Sequence, residues 1–166
     1  MKIIILAVAV VAGCVRLPRA EPEIHLIPQG YAGWVRIAFR AANGEVPVYE
    51  GDARVYRIPL SGILITQSKP NVGSSPPWRF FFEDPEGRRT PIVHFWTTTV
   101  PDTEANQKDP TVGISYMSRG SLQGVHVSCD VEFDQYFVGT KAQLLSAVGR
   151  EAQETMSEFL TANYRC

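Results

Sequence analysis

Past residue 22, apolar and polar positions alternate in short runs broken by Gly, Pro, Asn and Asp, the pattern of a chain built from β-strands. Glu23 to Ile27 alternates as a first strand. Trp34 to Phe39 places Val35, Ile37 and Phe39 on one face and Trp34 and Arg36 on the other. A weak strand around Val46 to Tyr49 lies between an Asn43-Gly44 and a Gly51-Asp52 turn, and Arg54 to Ile58 follows, ended by Pro59. Gly62 to Thr66 and Trp78 to Glu83 are β-prone on either side of a polar loop, Gln67 to Pro77. Asp84-Pro85-Glu86-Gly87 reads as a hairpin turn that leads to a partner strand over Pro91 to Val100. After a second polar loop, Pro101 to Pro110, come Val112 to Met117 and a connection marked by Arg119-Gly120 and Gly124. The longest predicted strand, Val125 to Val138, has Val125, Val127, Cys129, Val131 and Phe133 on its core face.

At Gly139-Thr140 the period changes from two to nearly four. Thr140 is a suitable N-cap, and Leu145, Val148, Ala152, Met156, Phe159 and Leu160 recur at three- and four-residue steps. These spacings predict a C-terminal helix over 141–164. The expected fold is therefore mainly β: an antiparallel β-sandwich, immunoglobulin- or transthyretin-like in style, with that helix packed on a sheet.

The first residues follow a different pattern. Lys2 precedes an unbroken apolar run from Ile3 to Ala12, shorter than the roughly 20 residues a spanning helix needs but suited to the core of a signal peptide. Val11-Ala12-Gly13-Cys14 closes the run. It resembles the lipobox of bacterial lipoproteins, an aliphatic residue and two small ones before cysteine. The resemblance implies cleavage after Gly13 and acyl chains, palmitate among them, on Cys14. The chain then divides into a signal peptide (1–13), a lipidated cysteine and tether (14–22) and a β-rich domain (23–166). The implied address is the cell envelope, facing the periplasm or exterior. Val15 rather than Asp after the cysteine implies the outer membrane if the cell is Gram-negative. A plain secretory signal cleaved near Ala20 is the alternative.

Composition narrows the partners. Net charge is −1 for the 166 residues, which gives no electrostatic basis for binding nucleic acid. The expected partner is the bilayer itself, through acylated Cys14, with another envelope protein or a cell-wall polymer as a further candidate. Of three cysteines, Cys14 is taken by lipid, which leaves Cys129 and Cys166 as an even pair in an oxidising compartment. Both fall on predicted buried faces, Cys166 only if the helix extends that far. A bridge between them would close a loop of about 37 residues, worth roughly 3–4 kcal/mol on the chain-entropy account.

Two longer stretches carry a family resemblance: Ile27-Pro28-Gln29-Gly30-Tyr31-Ala32-Gly33-Trp34-Val35 and Tyr56-Arg57-Ile58-Pro59-Leu60-Ser61-Gly62-Ile63-Leu64. With Phe137-Val138-Gly139-Thr140 before the helix, they resemble an uncharacterised family of bacterial exported and lipoprotein domains of unknown function. The resemblance implies an envelope address and a β-rich domain. It implies no catalytic residues and no cofactor.

Candidate chemistry is thin. His25, His94 and His126 lie far apart without metal-ligand spacing. His126, Asp130, Glu132 and Asp134 form a polar strand face, but alternate residues at about 3.3 Å per residue cannot all reach one ion. No Gly-x-Ser-x-Gly elbow, phosphate loop or dinucleotide fingerprint occurs. The residues singled out for binding are Tyr31, Trp34, Trp78, His126 and Asp130. The reading is a non-catalytic binding or structural module, with no metal site assigned. The alternative is a small periplasmic hydrolase or metal-dependent enzyme using His126, Asp130 and perhaps His94.

Overall fold

The structure, a computed structural model, describes residues 19–73, 78–95, 108–126, 129–147 and 151–166; the side chains of 116, 124–126, 129 and 151–155 lie outside that description. Among the described residues, ten strands form two five-stranded sheets. The first contains β1 (Glu23–Pro28), β3 (Val48–Glu50), β4 (Ala53–Arg57), β6 (Trp78–Glu83) and β7 (Arg89–Pro91), in the order β3-β4-β1-β6-β7. The second contains β2 (Gly33–Ala38), β5 (Ile63–Ile65), β8 (Val93–His94), β9 (Gly113–His126) and β10 (Cys129–Gly139), in the order β5-β2-β10-β9-β8. One apolar cluster joins their inner faces: Ile27, Tyr56 and Phe80 from the first sheet meet Val35, Ile37, Ile114, Tyr136 and Val138 from the second. This is a two-layer β-sandwich.

Helices α1 (Lys141–Ala147) and α2 (Glu151–Asn163) follow. Thr140 opens α1 with a reciprocal cap. Its hydroxyl accepts from the Gln143 backbone N–H at 3.2 Å, and the Gln143 side chain accepts from the Thr140 N–H at 2.8 Å. Met156, Leu160 and Tyr164, one turn apart, pack on Ala38, Val131 and Phe133 at the outer face of the second sheet. The Tyr164 hydroxyl then donates to the Phe39 carbonyl at 2.6 Å, which pins the end of the chain to β2.

The mainly β sandwich with a C-terminal helix on a sheet is as the pattern predicts, but the sheets are mixed rather than antiparallel. Strand β1 runs parallel to both β4 and β6, β2 parallel to β5, and β8 parallel to β9. Alternation specifies a strand's faces and leaves its direction open.

The predicted strand Val125 to Val138 is instead divided between β9 and β10, which pair antiparallel with Cys129 opposite His126. Residues 127–128, between the two strands, lie outside the described residues. Gly120 and Gly124, read as a connection, fall inside β9. At Gly120 the glycine serves packing: a Cβ there would lie 2.6 Å from the Phe133 ring, so the ring closes over bare backbone.

The partner of β6 is β7, Arg89–Pro91, and the chain then crosses to the other sheet at Val93, so the expected strand Pro91 to Val100 is not a continuous partner; 96–100 lie outside the described residues. Leu144, not Leu145, is the buried leucine of α1. Cys166 lies past the end of α2 and is exposed, while Tyr164 takes the last buried position of the stripe.

Candidate functional site

Strand β1 is buried on both faces. Ile24 and Leu26 point outward and pack with Ala53, Val55 and Phe81. Ion pairs Arg57–Glu83, Arg89–Glu83 at 3.3 Å and Arg89–Glu50 at 2.6 Å run alongside them. Glu23, His25 and Ile27 therefore point between the sheets. Register carries this into rows: Arg54, Glu23 and Trp78 lie side by side, and Tyr56, His25 and Phe80 form the row beneath. A strand that reads as half-solvated thus places a carboxylate and an imidazole in the core.

The buried polar groups are linked. His25 Nδ1 lies 3.1 Å from the Tyr136 hydroxyl on the opposite sheet, and its ring packs against Phe80 at 4.7 Å. Its Nε2 makes no hydrogen bond, and the Glu23 carboxylate is 3.5 Å away. Asn71 Nδ2 donates to Glu23 Oε1 at 2.9 Å and to the Glu21 carbonyl at 2.8 Å. Arg54 donates to the Lys69 carbonyl at 2.7 Å, to the Tyr56 hydroxyl at 3.1 Å and to Glu21 Oε2 at 2.5 Å. Burial raises the Glu23 pKa, but His25, Asn71 and Arg54 outweigh it and hold the carboxyl below its usual range. Glu23 thus contributes stability above the ordinary glutamate pKa that is lost as pH falls through the lower folded value.

The tyrosines act in the opposite direction. Burial pushes the hydroxyls of Tyr136 and Tyr56 up, and for Tyr56 the Glu23 charge adds to it. Their contribution is fully present below the unfolded tyrosine pKa, about 10, and is lost as pH rises through the raised folded values. Urea unfolding at about pH 11 should therefore show a lower midpoint than at about pH 9. Tyr56→Phe should lessen that drop; an unchanged drop would mean the buried hydroxyls do not carry it.

Above the Glu23 row the two sheets part into a hollow of about 410 Å³. Trp78 walls it from the first sheet; Met117, Ser118, Arg119, Asp134 and Gln135 wall it from the second; 71–73 form its rim. Arg119 and Asp134 form a two-pronged pair at 2.6 and 2.7 Å, and Arg119 also donates to the Asn71 carbonyl at 3.3 Å. The rim is thereby tied to the buried layer, because the same Asn71 holds Glu23.

Of the residues singled out for binding in the sequence whose side chains are described, only Trp78 lines this hollow. Tyr31 and Trp34 sit elsewhere: the Tyr31 hydroxyl donates to the Trp34 carbonyl at 2.6 Å, and Trp34 Nε1 donates to the Ala147 carbonyl at 3.1 Å. Both therefore hold structure, Tyr31 below β2 and Trp34 between β2 and α1. Asp130 is exposed at the start of β10, and the His126 side chain lies outside the described residues. His94 packs edge-on to Phe80 at 5.5 Å and Trp78 at 6.4 Å, and burial lowers its pKa. Among the described residues, no group of three or more His, Cys, Asp or Glu side chains could hold a metal ion. Arg54, Asn71 and Arg119 escape a sequence reading because each is one of many surface-type residues until the register places it.

Comparison with known proteins fits this description. A crystal structure described as "Putative Lipoprotein from Bacillus anthracis" superposes with a TM-score of 0.59 over 86% of this chain and 95% of that one, at 19% identity, a likeness of fold. No curated protein matches. A family profile matches residues 19–144, most of the chain and both of the longer motifs, and the chain belongs to that family, a family of unknown function (DUF6843).

Proposed function

We propose that this is an exported protein held to the cell envelope by acyl chains on Cys14, and that the sandwich it carries is a non-catalytic binding module. The observation that carries the reading is the apolar run Ile3 to Ala12 closed by Gly13-Cys14, with only 15–22 between that cysteine and β1. The fold-level neighbour described as a lipoprotein supports it. Among the described residues no helix is long and apolar enough to cross a membrane. Two or more acyl chains, at about 0.8 kcal/mol per buried CH₂, would suffice as an anchor. The tether would leave the domain free to meet an envelope protein or a cell-wall polymer, and in a Gram-negative cell Val15 directs it to the outer membrane.

The reading includes a Cys129–Cys166 bridge that staples the chain end to β10. The even pair of cysteines left once Cys14 carries lipid supports it.

Expressed in a bacterial host with an azide-tagged palmitate, the wild-type chain should label and fractionate with membranes, while Cys14→Ala should do neither. Label that persists in Cys14→Ala would reject the anchor. In the same samples, denatured and unreduced, alkylation should find no free thiol at Cys129 or Cys166; two alkylated cysteines there would reject the bridge.

A further inference from the structure

The hollow between the sheets has a chemistry that selects among ligands. Its charges are already matched. Asp134 takes two N–H donors of Arg119, and the Asn71 carbonyl takes two more. An anion would have to compete with Asp134 for the guanidinium, and a cation would meet Arg119 beside the carboxylate. A fully charged ligand therefore gains little there. The hydrogen-bonding capacity left over is of both kinds. Each Asp134 oxygen keeps a lone pair, and Arg119 keeps one N–H. Gln135 pairs with Arg36 and with Ser118, so the linked side chains of Gln135 and Ser118 lie on the outer face, and the polar side chains that face Trp78 are those of Arg119 and Asp134. Groups that donate and accept at once, such as hydroxyls, match this mixture. Across the hollow stands the half-buried Trp78, fixed in the inner-face row beside Glu23, an apolar ring facing a polar wall. A ring carrying hydroxyls on its rim and C–H groups on its faces meets both walls. About 410 Å³ accommodates one or two sugar units.

We infer that this hollow is a binding site for a neutral saccharide, stacked on Trp78 and hydrogen-bonded to Arg119 and Asp134. The inference rests on the binding-module reading and gives it a ligand class. It also assigns Asn71 a role, as the residue that sets Arg119 from the rim and Glu23 from below.

The test is calorimetric titration of the full chain in detergent with cellotriose, tri-N-acetylchitotriose and trigalacturonate. At least one neutral trisaccharide should bind at roughly millimolar affinity or better, at least tenfold tighter than the uronate. Trp78→Ala should lose at least tenfold. Asp134→Asn, which keeps the size of the side chain, should lose several-fold with the circular dichroism spectrum unchanged, which separates loss of the site from loss of the fold. No heat from either neutral sugar up to about 10 mM, equal binding of the uronate, or wild-type affinity in both variants would overturn the inference. Palmitate labelling is scored separately: a labelled chain that binds no sugar keeps the anchored module and loses this site, and a sugar-binding chain that takes no label does the reverse.

Discussion

Gly62→Ala is expected to cost about 4 kcal/mol of folding stability, the sum of a left-handed backbone penalty, overpacking and one strained hydrogen bond. Gly62 sits at φ +75°, where L side chains are disfavoured. A Cβ at that position would lie 2.0 Å from the Tyr31 hydroxyl and 2.4 Å from the Trp34 carbonyl oxygen. Those two atoms are hydrogen-bonded to each other at 2.6 Å, so neither can retreat without breaking that bond. The Gly62 carbonyl also accepts from the Arg36 N–H at 2.8 Å, which holds the turn against β2. The two longest family motifs therefore meet at one atom-tight joint, Tyr31 and Trp34 from one and Gly62 from the other. Urea unfolding of Gly62→Ala with and without Tyr31→Phe measures it. The double variant should recover about 1 kcal/mol, because removing the hydroxyl relieves the closer of the two clashes. A single-variant loss below about 1 kcal/mol would mean the joint is slack.

The second large effect is Arg54→Ala, expected to cost about 3–5 kcal/mol. The Arg54 side chain is 10% exposed and serves the Glu21 carboxylate, the Tyr56 hydroxyl and the Lys69 carbonyl together. Removing it leaves the Glu23 carboxylate, itself buried, without the Arg54 charge that helps hold it ionised. Much of the cost is thus the charge left behind. Glu23→Gln in the Arg54→Ala background should recover part of the loss, whereas in the wild type it should destabilise. Additive losses would show that the two groups do not share one network.

How far these features could be read beforehand depends on the kind of information each carries. The faces of β2 were legible because Val35, Ile37 and Phe39 alternate with Trp34 and Arg36, and the structure buries the first set between the sheets. The α1 cap was legible because Thr140 stands three residues before Gln143. Parallel pairing of β1 was not legible, since the segments it joins are some 30 and 55 residues away and direction leaves no periodic trace. The β9–β10 reversal was hidden because it falls between β-prone residues without a turn signal, while two glycines inside β9 supplied false ones. The inward placement of Glu23 and His25 ran against the usual sense of alternation. In β1 the apolar face covers the outside of the first sheet, and the polar face is buried because Asn71, Tyr136 and the Arg54 network receive it. Of the candidate binding residues, Trp78 lines the hollow because its strand begins at the sheet's open end, a fact of register rather than composition.

The account turns on which part of the tethered domain meets its ligand. Amide chemical-shift mapping of the isotopically labelled full chain, titrated with cellotriose and with tri-N-acetylchitotriose, addresses it directly. The predicted result is a saturable set of shifts at 71–73, Trp78, 117–119 and 134–135, with β3 and the Tyr31–Trp34 joint undisturbed. Shifts centred on that joint or on the outer face of the first sheet, or no shifts at all, would contradict it.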